Sequence, residues 1–194
     1  MHGDREHSDL SQTHAGHVIA VACDALHRFG KTPRDAITLF AGLGVDGDAH
    51  AGVTVQHRSR VTQDPTQPNL RQLHLIEEER FDTLAVDGFT GIAPGAIGEN
   101  IRTRGLALSA LPTGTRLIFA SGAEVVLTGL RNPCRQLDAF RPGLMRALIG
   151  RDAAGGLELK GGVMGVVARG GAVRAGDTLR AVLPGGEHTA LRRV

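Results

Sequence analysis

The sequence predicts a mainly β domain, a closed barrel or strongly bent sheet with a few short helices at its rim. Three observations predict it. Apolar runs of strand length recur along the chain, many bounded by glycine or polar turn residues. The 27 glycines are spread out rather than gathered in one tract, which suits many tight turns. Neither a βαβ alternation nor a repeat of roughly 20 to 50 residues interrupts that pattern.

Taken in order, residues 1–16 read as a flexible tail carrying His2, His7 and His14, and residues 17–194 as one domain without an internal linker. His17–Ala22 and Ile37–Ala41 read as strands. Gln72–Ile76 alternates at period two, with Gln72 and His74 on one face and Leu73 and Leu75 on the other. Glu77–Val86 has helical spacing at Phe81, Leu84 and Ala85, with Gly88 as a stop. Arg116–Phe119 and Glu124–Thr128 flank Ser121-Gly122 as a hairpin, and Leu144–Ile149 reads as a short helix closed by Gly150. Val163–Ala168, Ala172-Val173 and Leu179–Leu183 complete the strands.

Composition narrows the function classes. With 194 residues, 41% of them hydrophobic, the chain can build a core. Its 22 basic and 20 acidic residues nearly cancel to a net +2, and the bases are scattered, so no strong polyanion-binding face is expected. Without Trp or Tyr, and with only six Phe, it lacks the stacking aromatics of single-strand nucleic-acid binders. Two cysteines and no CxxC pair exclude a disulfide framework and point to a reducing, cytoplasmic setting. The first residues form no apolar leader, and no apolar stretch approaches the ~20 residues that span a bilayer.

Several segments are candidates for chemistry. Gly42-Leu43-Gly44-Val45-Asp46-Gly47 matches GxGxxG, but the dinucleotide fingerprint needs a helix opening in the glycines, and Asp48–Val53 is not amphipathic. Asp48, His50, His57 and Arg58 cluster in a Gly-rich loop. They read equally as a ligand-binding loop or as a turn capped by Asp48, with a His/Asp metal site as a third option. Pro94–Ile101 reads as a turn entering a strand, with Glu99 and Asn100 facing opposite ways. Gly161–Val167 places small residues in a strand, suited to a barrel corner.

The sharpest candidate is Gly129-Leu130-Arg131-Asn132-Pro133-Cys134-Arg135-Gln136-Leu137. Pro133 stops ladder pairing, so the chain is turning when it presents Cys134. Arg131 and Arg135 flank the thiol, and nearby cations favour thiolate, the form that attacks sulfur and ligates soft metals. Cys23, inside an apolar strand, reads as a small core residue.

Read in order, Gly47–Gly52, His57-Arg58-Ser59, Gln67–Ile76, Pro94–Ile101, Gly129–Cys134 and Gly162–Val167 resemble the successive motifs of stand-alone bacterial MOSC domains, the C-terminal domain of molybdenum cofactor sulfurases. The match runs from Val18 to Val182. The resemblance implies a MOSC-type β-barrel with Cys134 at the mouth of a pocket. It also implies binding of the molybdenum cofactor, with Cys134 as ligand to the metal and catalytic residue. Asp48, His50, Arg58, Asn100, Arg131 and Asn132 are the expected cofactor-binding residues. Related members reduce N-hydroxylated compounds, which implies a small-molecule substrate; others are thought to carry persulfide sulfur on the matching cysteine. A third reading is a non-catalytic cofactor-binding module. The aminotransferase-like, ferredoxin and flavin domains of larger relatives have no counterpart here. The resemblance therefore implies a separate donor protein, a reductase for electrons or a cysteine desulfurase for sulfur.

Overall fold

The computed structural model describes residues 14–152 and 155–194. Its strands are β1 (His14–Cys23), β2 (Thr32–Arg34), β3 (Ala36–Phe40), β4 (Gly44–Val45), β5 (Leu73–Glu77), β6 (Ile101–Arg104), β7 (Arg116–Phe119), β8 (Glu124–Leu130), β9 (Ile149–Arg151), β10 (Leu157–Leu159), β11 (Val163–Arg169), β12 (Gly171–Arg174) and β13 (Thr178–Val182). The α-helices are short: α1 (Arg58–Val61), α2 (Glu78–Val86), α3 (Arg135–Phe140) and α4 (Leu144–Ala147).

Seven strands close a barrel in the order β13-β7-β8-β11-β5-β6-β1, and pairing of β1 with β13 completes the ring. β2 adds to the side of β1, while β12-β3-β4 and β9-β10 form small flanking sheets. Closure removes the free edges that an open sheet of this size would expose. Neighbouring barrel strands run antiparallel except β5 and β6, which are parallel. A parallel pair needs a crossover, and α2 with the loop through Pro94–Asn100 supplies it.

Alternation fixes which side chains fill the barrel. β3 and β13 bury every second residue, as expected of strands with one wet face. Leu73, Leu75, Leu117, Leu127 and Val163 belong to the core inside the ring. A second core lies outside it, where Ile76, Phe81, Leu84, Ile97, Leu137 and Leu144 pack together. β5 is the shared wall, and all five of its residues are buried. The predicted split of His74 from Leu73 and Leu75 therefore holds, but both faces are covered. Each aliphatic side chain withdrawn from water contributes roughly 1.5–3 kcal/mol.

Three local expectations change. Gly150 sits in β9 rather than closing a helix, because α4 ends at Ala147. α3, over residues to which the sequence assigned no element, starts directly after Cys134. Glu99 and Asn100 lie in the turn before β6, not on the strand, although their side chains do point apart. Residues 14–16, placed in the tail by sequence, begin β1; His2 and His7 lie outside the described residues. Among the described residues no helix is long and apolar enough to cross a membrane.

Candidate functional site

The outer face of β5 and β11 is not fully covered by the second core. Beside it lies a hollow of about 720 Å³, walled by the 50–71 loop with α1, by the turn after β8 and by the start of α3. Two glycines hold this region together, Gly98 in the lining and Gly162 behind His74. Gly98 has φ +90°, and a Cβ there would lie 2.7 Å from the Phe29 carbonyl oxygen. Gly162 also has φ +90°, and a Cβ would lie 2.7 Å from His74 Nε2. Only glycine fits either position.

Asp48 is the buried node beneath the hollow. Its Oδ1 accepts from the His50 backbone N–H at 2.9 Å and faces His50 Nδ1 at 3.2 Å. Its Oδ2 accepts from Asn100 Nδ2 at 2.9 Å and forms an ion pair with Lys31. Burial alone would raise the Asp48 pKa, but the hydrogen bond to His50 and the Lys31 charge outweigh it and hold the carboxyl well below its usual range. Two contacts compete for His50 Nδ1: Asp48 Oδ1 at 3.2 Å can only accept from it, and Lys31 Nζ at 3.4 Å can only donate to it. The shorter one, to a carboxylate, favours the proton on Nδ1 and leaves Nε2 outside both contacts. The Asn100 amide is equally committed: Nδ2 also donates to the Ala22 carbonyl at 3.1 Å, and Oδ1 accepts from the His74 backbone N–H at 3.1 Å.

The walls are cationic. Six arginines and four histidines line the hollow, and no aspartate or glutamate does. Arg71 Nε and Arg131 Nη1 are buried without a hydrogen-bond partner among the described residues. The Arg71 pKa is pushed down to about 10, by burial first and then by Arg60 and Arg131, with Cys134 opposing. Burial also lowers the Arg131 pKa, against opposing effects of Cys134 and Glu99. His57 is driven down to about 3 by burial and then by Arg71, His50 and Arg131, so its imidazole is neutral at pH 7. Burial likewise holds fully enclosed His74 well below its ordinary value, and its Nε2 donates to the Gly161 carbonyl at 2.7 Å. The rings of His27, His50 and His57 follow one another at centroid distances of 5.3 and 4.9 Å.

Cys134 is half-buried in this wall, one residue before α3. Its thiol donates weakly to Gln136 Oε1 at 3.5 Å. Arg131 shares the hollow with it, as sequence suggested. Arg135 does not: it is exposed and points elsewhere, because entry into α3 turns it away from the wall. Arg71 stands in its place.

Of the residues singled out in sequence, Cys134, His50, Arg58, Asn100, Arg131 and Asn132 all line the hollow, and Asp48 lies directly behind it. Lys31, Arg60, Arg71, His74 and Gln136 were missed. Bases scattered in sequence converge on this hollow, a small-ligand site rather than a polyanion-binding face. The third reading of the Asp48 loop, a His/Asp metal site, fails on donor chemistry: Lys31, Asn100 and His50 already occupy both Asp48 oxygens. Among the described residues no group of His, Cys, Asp and Glu is arranged to hold a metal ion. A molybdenum cofactor is a different case, because its pterin carries a phosphate and its dithiolene brings two sulfur ligands of its own, so the protein need supply only one. An acid-free hollow of this volume, with two unpartnered buried guanidinium nitrogens and one thiol, fits such a group.

Comparison with known proteins identifies the family. A profile of the MOSC domain matches residues 47–180. YuaD of Bacillus subtilis (strain 168), which carries a provisional name in metal-sulfur cluster biosynthesis, is 30% identical over 148 residues, covering 70% of this chain and 74% of YuaD. The crystal structure of YuaD superposes with a TM-score of 0.71 at 26% identity, covering 88% of this chain and 97% of that one. YiiM from Escherichia coli shares the fold at a TM-score of 0.59 and 21% identity, over 89% of this chain and 73% of YiiM. With its barrel, its ordered motifs and a profile match spanning most of its length, the chain belongs to the MOSC family.

Proposed function

We propose that the hollow binds the molybdenum cofactor, that Cys134 is the protein's ligand to the metal, and that the loaded protein reduces N-hydroxylated or N-oxygenated compounds. One observation carries this reading: a half-buried thiol stands in an acid-free wall beside Arg71 and Arg131, each of which keeps one buried guanidinium nitrogen without a partner. Leaving such groups unpaired is costly, and an anionic ligand offsets that cost. Arg71 and Arg131 would pair the pterin phosphate from the wall, and Arg58, which is exposed, would do so from the rim. His50, held at Nδ1 by Asp48, offers Nε2 to the ligand, and Asn132 adds a neutral donor and acceptor. When bound, the cofactor supplies two-electron oxo-transfer chemistry, while this chain supplies ligation, orientation and control of water. Electrons come from a separate reductase. The test is molybdenum and pterin content after anaerobic purification from cofactor-making cells. Wild type carries both, and Cys134→Ser loses molybdenum. A metal-free wild type, or a Cys134→Ser variant that keeps its molybdenum, overturns the reading.

A second reading is favoured by the name of YuaD and by the partial exposure of Cys134. Here the thiolate accepts sulfur as a persulfide and passes it to a metal-sulfur centre. A mass gain of one sulfur atom on Cys134 supports it, and failure of every sulfur donor to produce that gain removes it.

A further inference from the structure

We propose that the metal-free hollow is a receptor for sulfane-sulfur oxyanions, thiosulfate being the simplest, and that Cys134 takes its sulfur from them. This rests on the sulfur-carrier reading and names the donor: a small dianion rather than a protein-borne persulfide. A persulfide delivered on a partner's side chain is a small, singly charged group, and it needs no deep cationic cavity. This hollow, of about 720 Å³, is arginine-walled, with Arg71 Nε and Arg131 Nη1 unpartnered and the Cys134 sulfur in the same wall. Both guanidinium groups lie near enough to feel charge on that sulfur. A sulfonate presents three acceptor oxygens, and paired guanidiniums match such oxygens through short charge-assisted hydrogen bonds. No carboxylate lines the hollow to repel a dianion.

The step balances without an added oxidant. The Cys134 thiol gives its proton to solvent, and the thiolate attacks the outer sulfur of thiosulfate. A Cys134–sulfur bond forms as the sulfur–sulfur bond of thiosulfate breaks. The electron pair of that bond leaves on sulfite, and the protein keeps a persulfide anion. Charge gathers on the sulfonate oxygens as sulfite departs, where Arg71 and Arg131 stand. An acceptor nucleophile such as cyanide then removes the outer sulfur as thiocyanate and restores the thiolate.

The test uses the full chain from cells unable to make the pterin, incubated anaerobically with thiosulfate. Whole-protein mass, sulfite release and the rate of persulfide formation are read, with iodoacetamide as an uncharged probe of the same thiol. Wild type gains one sulfur on Cys134 and releases an equal amount of sulfite. Arg71→Gln and Arg131→Gln each slow thiosulfate by about tenfold more than they slow iodoacetamide, and Arg131→Lys recovers part of the loss. Should those variants misfold, sulfate added to wild type serves instead: it inhibits transfer from thiosulfate and leaves iodoacetamide alkylation unchanged. No sulfite release, or equal slowing of both reagents, overturns the proposal. A parallel arm with glutathione persulfide separates the two failures. Sulfur taken from glutathione persulfide but not from thiosulfate removes the receptor and leaves the carrier standing; sulfur taken from neither removes both.

Discussion

Two sets of buried arginines divide this molecule. Arg102 is 3% exposed and fully engaged. Its Nη2 lies 2.6 Å from Glu99 Oε1 and 2.9 Å from the Ala93 carbonyl, its Nη1 reaches Glu78 at 3.3 Å, and its guanidinium carbon lies 3.6 Å from the centre of the Phe81 ring. Glu99 in turn accepts from the Gly95 and Ile97 backbone N–H groups, so this network fixes the turn that leads into β6. Arg71 and Arg131 are half-buried, each with one guanidinium nitrogen closed off from water, yet they have no carboxylate partner among the described residues. A buried cation with a full set of acceptors is architecture. One without them keeps its affinity for something that arrives later.

The largest expected effect breaks the first set. Glu99→Gln leaves Arg102 charged and undercompensated in the interior and costs about 3–5 kcal/mol, read as a lower urea midpoint. A loss under ~1 kcal/mol would mean that the network does not hold the turn. The second set behaves in the opposite sense. Arg131→Met removes an unpaired buried charge, so the metal-free variant is as stable as wild type or more stable by about 1 kcal/mol. Destabilisation comparable to Glu99→Gln would erase the distinction between the two sets.

Acid sharpens the comparison next. The folded His57 pKa of about 3 lies below its ordinary 6.5, so the unfolded chain binds the proton more tightly. Its contribution to stability is complete above pH 6.5 and is lost as pH falls towards 3. Asp48, also depressed, loses its contribution in a lower window, below its ordinary 3.8. Urea midpoints measured between these limits therefore fall with acid, and His57→Gln flattens the fall; an unchanged slope would contradict the cationic field assigned to the hollow. The smallest effect concerns the helix-side neighbour of the thiol. Arg135→Gln changes iodoacetamide alkylation of Cys134 by less than about twofold, and Arg131→Gln slows it more. The reverse order would return Arg135 to the site.

Much of the barrel was legible because period two survives wherever a strand has one wet face, as in Ala36–Phe40 and Thr178–Val182. β5 shows where that signal thins: with both faces buried, only the polarity of Gln72 and His74 marked the second side. Cys134 was legible because Pro133 marks a turn and the motif around it is local, although β8 itself already ends at Leu130. The rest of the site was not. Lys31 meets Asp48 from 17 residues away, and Arg71 reaches the hollow from the segment before β5. Nothing in sequence says which of 22 basic residues lack an acidic partner, because pairing is a property of the closed fold. Nearness in sequence misled in one place, since Arg135 adjoins Cys134 but turns outward with α3.

The most direct test of the central claim, that unpaired buried arginines keep the hollow ready for an anion, is thermal unfolding of the metal-free protein in phosphate and in chloride at equal ionic strength. Wild type gains a few degrees in phosphate, as about 1–2 kcal/mol of linked binding would give, and the Arg71→Gln/Arg131→Gln double variant gains none. Equal midpoints for wild type in the two salts, or the same phosphate shift in the double variant, would contradict it.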